Sequence, residues 1–65
     1  MILECPIKIG SLVVDANPYR APEMLFGLGV VTKIFNCDFV YVYWNKFEVT
    51  ECVNIGLLEV VNEGG

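Results

Sequence analysis

The chain has no histidine, a single serine at Ser11, and four basic residues set against eight acidic ones. Each shortage removes a class of chemistry. Without histidine there is no imidazole to serve as a general base near neutral pH or to join a metal site. Ser11 lies beside glycine in a strand-like stretch, with no base partner to activate its hydroxyl. Cys5, Cys37 and Cys52 follow no C-x-x-C spacing, so neither a zinc site nor a redox pair is indicated. Cys37 sits next to Asp38, a neighbour of the wrong sign to favour a thiolate. Glu48 and Glu51 fall on opposite faces of a strand and do not converge as an acid/base pair. The expectation is a protein without catalytic residues, cofactor or metal.

The cations Lys8, Arg20, Lys33 and Lys46 are scattered singly along a chain of net charge −4. Generic nucleic-acid binding needs clustered Lys or Arg against phosphate, so a protein partner fits better. The longest unbroken apolar run, Phe39 to Trp44, is far short of the roughly 20 residues of a membrane-spanning helix. No membrane span is expected. An odd cysteine count without a visible signal peptide predicts reduced thiols, each filling space as a small buried hydrophobe, in a cytoplasmic setting. A Cys5 to Cys52 bridge stays open.

What the chain does have is apolar surface. Its 65 residues are 55% hydrophobic, with mean hydropathy +0.58. A domain this short buries only about 60% of what its unfolded chain exposes and needs added support such as oligomerisation. Part of the apolar content is therefore expected on the surface, where self-association would cover it.

Period-2 patterning predicts five short strands in one domain, 1–65, with its core over 7–61 and a frayed tail at 62–65. Met1 to Cys5 is a lead-in, and Pro6 opens the first strand, Ile7 to Asp15. Ile7, Ile9 and Val13 share one face there, Leu12 and Val14 the other, with a bend at Gly10. Asp15 to Phe26 reads as a long loop with a short helical turn starting at Pro22. Its Met24, Leu25 and Phe26 are expected to cap one end of the fold. Gly27 and Gly29 allow a bend and a close approach before strand two, Val30 to Phe35. Asn36-Cys37-Asp38 turns the chain into strand three, Phe39 to Trp44.

On that strand Phe39, Tyr41 and Tyr43 share one face, and Val40, Val42 and Trp44 share the other. Both are apolar, so the sequence leaves open which is inside. If the valines and Trp44 form the core with Val13, Leu58 or Val60, then Phe39, Tyr41 and Tyr43 are the interface candidates. In the opposite case Trp44 is the anchor. After an Asn45-Lys46 turn, Glu48 to Val53 predicts an edge strand. Asn54-Ile55-Gly56 forms a single tight turn, and Leu57 to Val61 is the last strand.

This order resembles the SH3-like class of small, strongly bent antiparallel barrels with a short 3₁₀ turn before the last strand. The likeness rests on Ile9-Gly10-Ser11-Leu12-Val13, Gly27-Leu28-Gly29-Val30-Val31, Val40-Tyr41-Val42-Tyr43-Trp44 and Asn54-Ile55-Gly56-Leu57-Leu58-Glu59-Val60-Val61. In particular it resembles small SH3-like proteins of tailed phages, notably those infecting marine cyanobacteria, which have no assigned activity. The resemblance implies a fold and a viral origin, and hence a host-cytoplasmic setting. Proline-rich-peptide binders of the class carry a proline and a tyrosine in the 3₁₀ turn that Asn54-Ile55-Gly56 lacks.

The function expected is a non-catalytic interaction module that forms a homo-oligomer, a dimer or small ring, or docks on a protein partner. The alternative is a KOW- or Tudor-type barrel associated with nucleic acid or nucleoprotein, accessory to transcription or translation. It would need an aromatic-basic groove around Arg20, Lys33 and Lys46, or an aromatic cage for a methylated cation. Tyr19, Phe26, Tyr43 and Phe47 are the cage candidates, with Glu48 nearby.

Overall fold

The fold follows from short, β-branched and aromatic-rich segments that alternate in polarity and are separated by Asn, Asp, Gly and Pro. The computed structural model describes residues 7–61. It is all-β: a five-stranded antiparallel sheet in the order β4-β3-β2-β1-β5. The strands are β1 (Leu12–Asp15), β2 (Leu28–Ile34), β3 (Phe39–Trp44), β4 (Val49–Asn54) and β5 (Leu58–Val60). Two 3₁₀ turns, Pro22–Met24 and Ile55–Leu57, complete the order. The sheet is strongly curled into a half-barrel of the SH3-like kind, and β4 and β5 form its two edges. The lead-in, Pro6 and the tail at 62–65 lie outside the described residues.

The concave side holds the core: Ile7, Val13, Val31, Val40, Val42, Trp44 and Leu58 are buried, with Phe26, Ile34, Val53 and Ile55 packed against them. Strand three therefore turns its valines and Trp44 inward. Val60, offered as a core residue, stands 49% exposed at the β5 edge. Ile9 departs from its expected face as well and is 65% exposed. Gly10 has φ +93°, and Ser11 N–H donates back to Lys8 O, so a turn interrupts the alternation and β1 begins only at Leu12.

Curvature comes from a β-bulge. The β2–β3 register shifts between Val31 and Lys33, which leaves Thr32 as the extra residue. Uninterrupted alternation from Gly29 and Val31 would drive Lys33 into the core. The bulge instead sets Lys33 opposite Tyr41 and Ile34 opposite Val40, keeping the ammonium in water and the isoleucine inside. Bulges also bend the strand and raise its local twist.

The loop before β2 is organised by Asp15, whose side chain is 4% exposed. Its carboxylate accepts from Asn17 N–H at 3.1 Å and Phe26 N–H at 2.9 Å. It also pairs with Arg20 at 2.8 Å. The loop is thereby stitched at its start, middle and end to one buried group.

The cysteines correct the sequence expectation. Cys52 is an exposed free thiol, so it forms no bridge with Cys5, which itself lies outside the described residues. Cys37 is disulfide-bonded and exposed. Neither is a buried hydrophobe, and Cys37 is not a reduced thiol. The thiol argument for a cytoplasmic setting falls with it.

Candidate interaction surface

Because β3 faces its valines inward, its other side chains and their cross-strand partners make up the convex face. Residues directly opposite one another share a face, so the register assigns it. Tyr43 lies beside Val30 and Thr50, and Tyr41 beside Lys33 and Cys52. Leu12 lies beside Val30, and Val14 beside Leu28 and Glu59. The result is an apolar band across three strands: Leu12 and Val14, then Leu28 and Val30, then Tyr43, Tyr41 and Phe39. Leu28 is 47% and Phe39 39% exposed, and the other five are half-buried. Lys33, Thr50, Cys52, Asn54 and Glu59 rim the band with more polar groups.

A shallow hollow of about 60 Å³ opens on this face, lined by Leu12, Leu28, Gly29, Val30, Tyr43 and Asn45. Pockets for whole small molecules run to about 300–1,000 Å³. This one fits part of a side chain, and its lining is nearly all apolar.

Of the interface candidates, Phe39, Tyr41 and Tyr43 therefore share the convex face. Trp44 does not: it is 1% exposed, and its ring meets Phe26 edge-on at 5.6 Å. The tryptophan is a core residue because Gly29 opposite it leaves room for the indole against the sheet.

The four cage candidates do not assemble. Phe26 and Phe47 meet edge-on at 4.9 Å, beside the core, whereas Tyr43 belongs to the convex face and Tyr19 is 90% exposed. The guanidinium of Arg20 already lies 4.1 Å over the Phe26 ring, where a methylated cation would have to sit. A titration with methyl-lysine or methyl-arginine peptides, followed by amide chemical shifts, is expected to stay flat around Phe26 and Phe47.

The basic residues are likewise divided. Arg20 is held by Asp15 and approaches Glu51 at 3.9 Å. Lys46 donates to Leu25 O and lies 5.3 Å from the Phe47 ring. Lys33 sits elsewhere, on the convex side, 5.7 Å from the Tyr41 ring. Among the described residues no three His, Cys, Asp or Glu side chains gather as a metal site, and no helix is long and apolar enough to cross a membrane.

Sequence reasoning did not single out Asp15. The Asp-x-Asn-Pro spacing was its signal, since Asp and Asn both favour side-chain-bonded turns: Asn17 Oδ1 accepts from Tyr19 N–H, as Asp15 Oδ1 does from Asn17 N–H. No protein-family model, curated protein or solved structure matches the chain.

Proposed function

We propose that this protein is a non-catalytic SH3-like interaction module that docks through its convex face on a second copy or another protein. One observation carries the reading: a contiguous apolar band, Leu12 to Phe39 across β1, β2 and β3, on the side of the sheet away from the core. A small domain has little reason to keep three aromatic rings and four aliphatic side chains there unless something covers them. Tyrosines at its centre suit an interface, because each offers a large apolar ring and a hydroxyl that tolerates water. The resemblance to small phage SH3-like proteins, which have no assigned activity, bears on the fold and a viral origin.

The test is Val30→Lys, which sets a charge in the centre of the band without touching the core. Wild type is expected to sediment above the monomer mass, and Val30→Lys to return it to the monomer with an unchanged circular dichroism spectrum. Wild type and variant sedimenting alike would refute docking between copies through this face.

A further inference from the structure

The sheet has a second unsatisfied feature, its β4 edge. Ile55 N–H donates to Asp38 O at 2.9 Å, which makes Asn54 and Phe39 a non-hydrogen-bonded pair. Antiparallel ladders alternate, so the backbone groups of Val49, Glu51 and Val53 point to β3. Those of Thr50, Cys52 and Asn54 point away from it. The Asn54 carbonyl opens the 3₁₀ turn Ile55–Leu57 by accepting from Leu57 N–H, and among the described residues no turn, loop or cap bond takes up the other outward N–H and C=O groups. All three residues are exposed.

Edge strands are ordinarily protected by charged side chains, proline, a bulge or brevity, and β4 carries a single charge, Glu51, opposite Val42. The opposite edge is protected by brevity, since β5 has three residues. The β4 run, Val49-Thr50-Glu51-Cys52-Val53-Asn54, is six residues long with no lysine, arginine or proline, and its pairing to β3 shows no bulge.

We infer that β4 pairs antiparallel with β4 of a second copy about a two-fold axis at Cys52, joining two half-barrels into one continuous sheet. The sequence selects both the partner and the register. Outward-pointing residues must pair with outward-pointing residues, so the axis falls at Thr50, Glu51, Cys52, Val53 or Asn54. An axis at Glu51 sets two like charges directly opposite, which is destabilising. An axis at Cys52 pairs Cys52 with its own copy and Thr50 with Asn54, using all three outward residues of each chain in about four hydrogen bonds, since the Asn54 carbonyl is taken by the 3₁₀ turn. It also sets Glu51 against Val53 of the second copy. Axes at Thr50, Val53 or Asn54 use fewer bonds. This edge is continuous with the convex band, because Thr50, Cys52 and Asn54 flank Tyr43, Tyr41 and Phe39 on the same face. The inference stands on backbone geometry, independently of the convex-face reading.

Two measurements test it. In the paired state the Cys52 Cα atoms lie roughly 5.5 Å apart, within disulfide range. Copper-phenanthroline, which takes the two electrons as the two thiols lose their protons, is therefore expected to convert wild type to a covalent dimer. Thr50→Cys in a Cys52→Ser background, with its thiols about four residues out of register, is expected to resist. Cys52→Pro removes one outward donor per chain and spares the β3 ladder. It is expected to weaken the dimer roughly 30-fold or more in sedimentation. Equal cross-linking from position 50, or a wild type that stays monomeric at every concentration, overturns the inference. A Cys52→Pro variant that stays folded and dimeric does the same, and if Val30→Lys alone dissolves the oligomer, the convex face stands and the edge falls. Should Cys52→Pro fail to fold, the cross-linking contrast still decides.

Discussion

Gly29→Ala is expected to cost about 3 kcal/mol or more, which takes most of the stability of a domain of this size. At about 0.05–0.15 kcal/mol per residue, the whole fold is worth roughly 3–10 kcal/mol. A Cβ at Gly29 would stand 2.6 Å from Trp44 Cε3, 2.6 Å from Val42 Cγ1 and 2.9 Å from Trp44 Cζ3. Real Cβ contacts are never that short, so something must move. Trp44 is 1% and Val42 0% exposed, and both belong to β3, which is paired on both sides, so neither side chain has room to retreat. Urea denaturation reads the loss directly. The double variant with Trp44→Phe tests the cause, because two of the three atoms struck belong to the benzo half of the indole. If the clash is the reason, the two substitutions together cost clearly less than their sum. Trp44→Phe also removes an indole N–H that is buried with no hydrogen-bond partner among the described residues, which offsets part of its lost volume. A Gly29→Ala domain within about 1 kcal/mol of wild type would show that the core relaxes around the extra methyl.

That glycine also marks how far the sequence could be read. Paired glycines before strand two implied a close approach, and the structure separates their tasks: Gly27 takes φ +78° while Gly29 makes room for Trp44. Strand β3 was legible to the residue, Phe39 to Trp44, because a run of β-branched and aromatic residues between two turns has few alternatives. Its inward face was not, since alternation separates two sets of side chains without ranking them when both are apolar. The discriminating hint was chemical: tyrosine hydroxyls at 41 and 43 favour a face that reaches water, while Val40 and Val42 carry no polar atom. Two other features were hidden for physical reasons. The Thr32 bulge shows only when Lys33 is asked where its charge would go, and Asp15 only when the backbone donors it satisfies, eleven residues apart in the case of Phe26, are placed in space. The band on the convex face needed the register, since Leu12, Val30 and Tyr43 come from three strands.

Asp15→Ala is expected to cost about 2–4 kcal/mol, through broken hydrogen bonds rather than lost volume. Truncation leaves the N–H groups of Asn17 and Phe26 without their acceptor and the Arg20 guanidinium without its partner at 2.8 Å. Asp15→Asn is expected to recover part of the loss, because the amide oxygen can take the place that accepts from Phe26 N–H and Arg20, while its nitrogen meets the donor of Asn17 and the charge is gone. Arg20→Ala should cost less than either. Its side chain is 30% exposed, and the carboxylate keeps both backbone donors when it is gone. The order Asp15→Ala above Arg20→Ala is therefore the diagnostic result, read by thermal or urea unfolding. Amide exchange at Asn17 and Phe26 should accelerate in Asp15→Ala before the sheet itself opens, because the substitution frees the loop first. Loosening Phe26 also withdraws the edge-on contact with Trp44 and the ring against Phe47, so tryptophan emission should shift to the red. If Arg20→Ala proves as costly as Asp15→Ala, the ion pair and not the backbone capping holds the loop. In that case raising the salt concentration should reproduce part of the loss, whereas capping of buried N–H groups should be nearly indifferent to it.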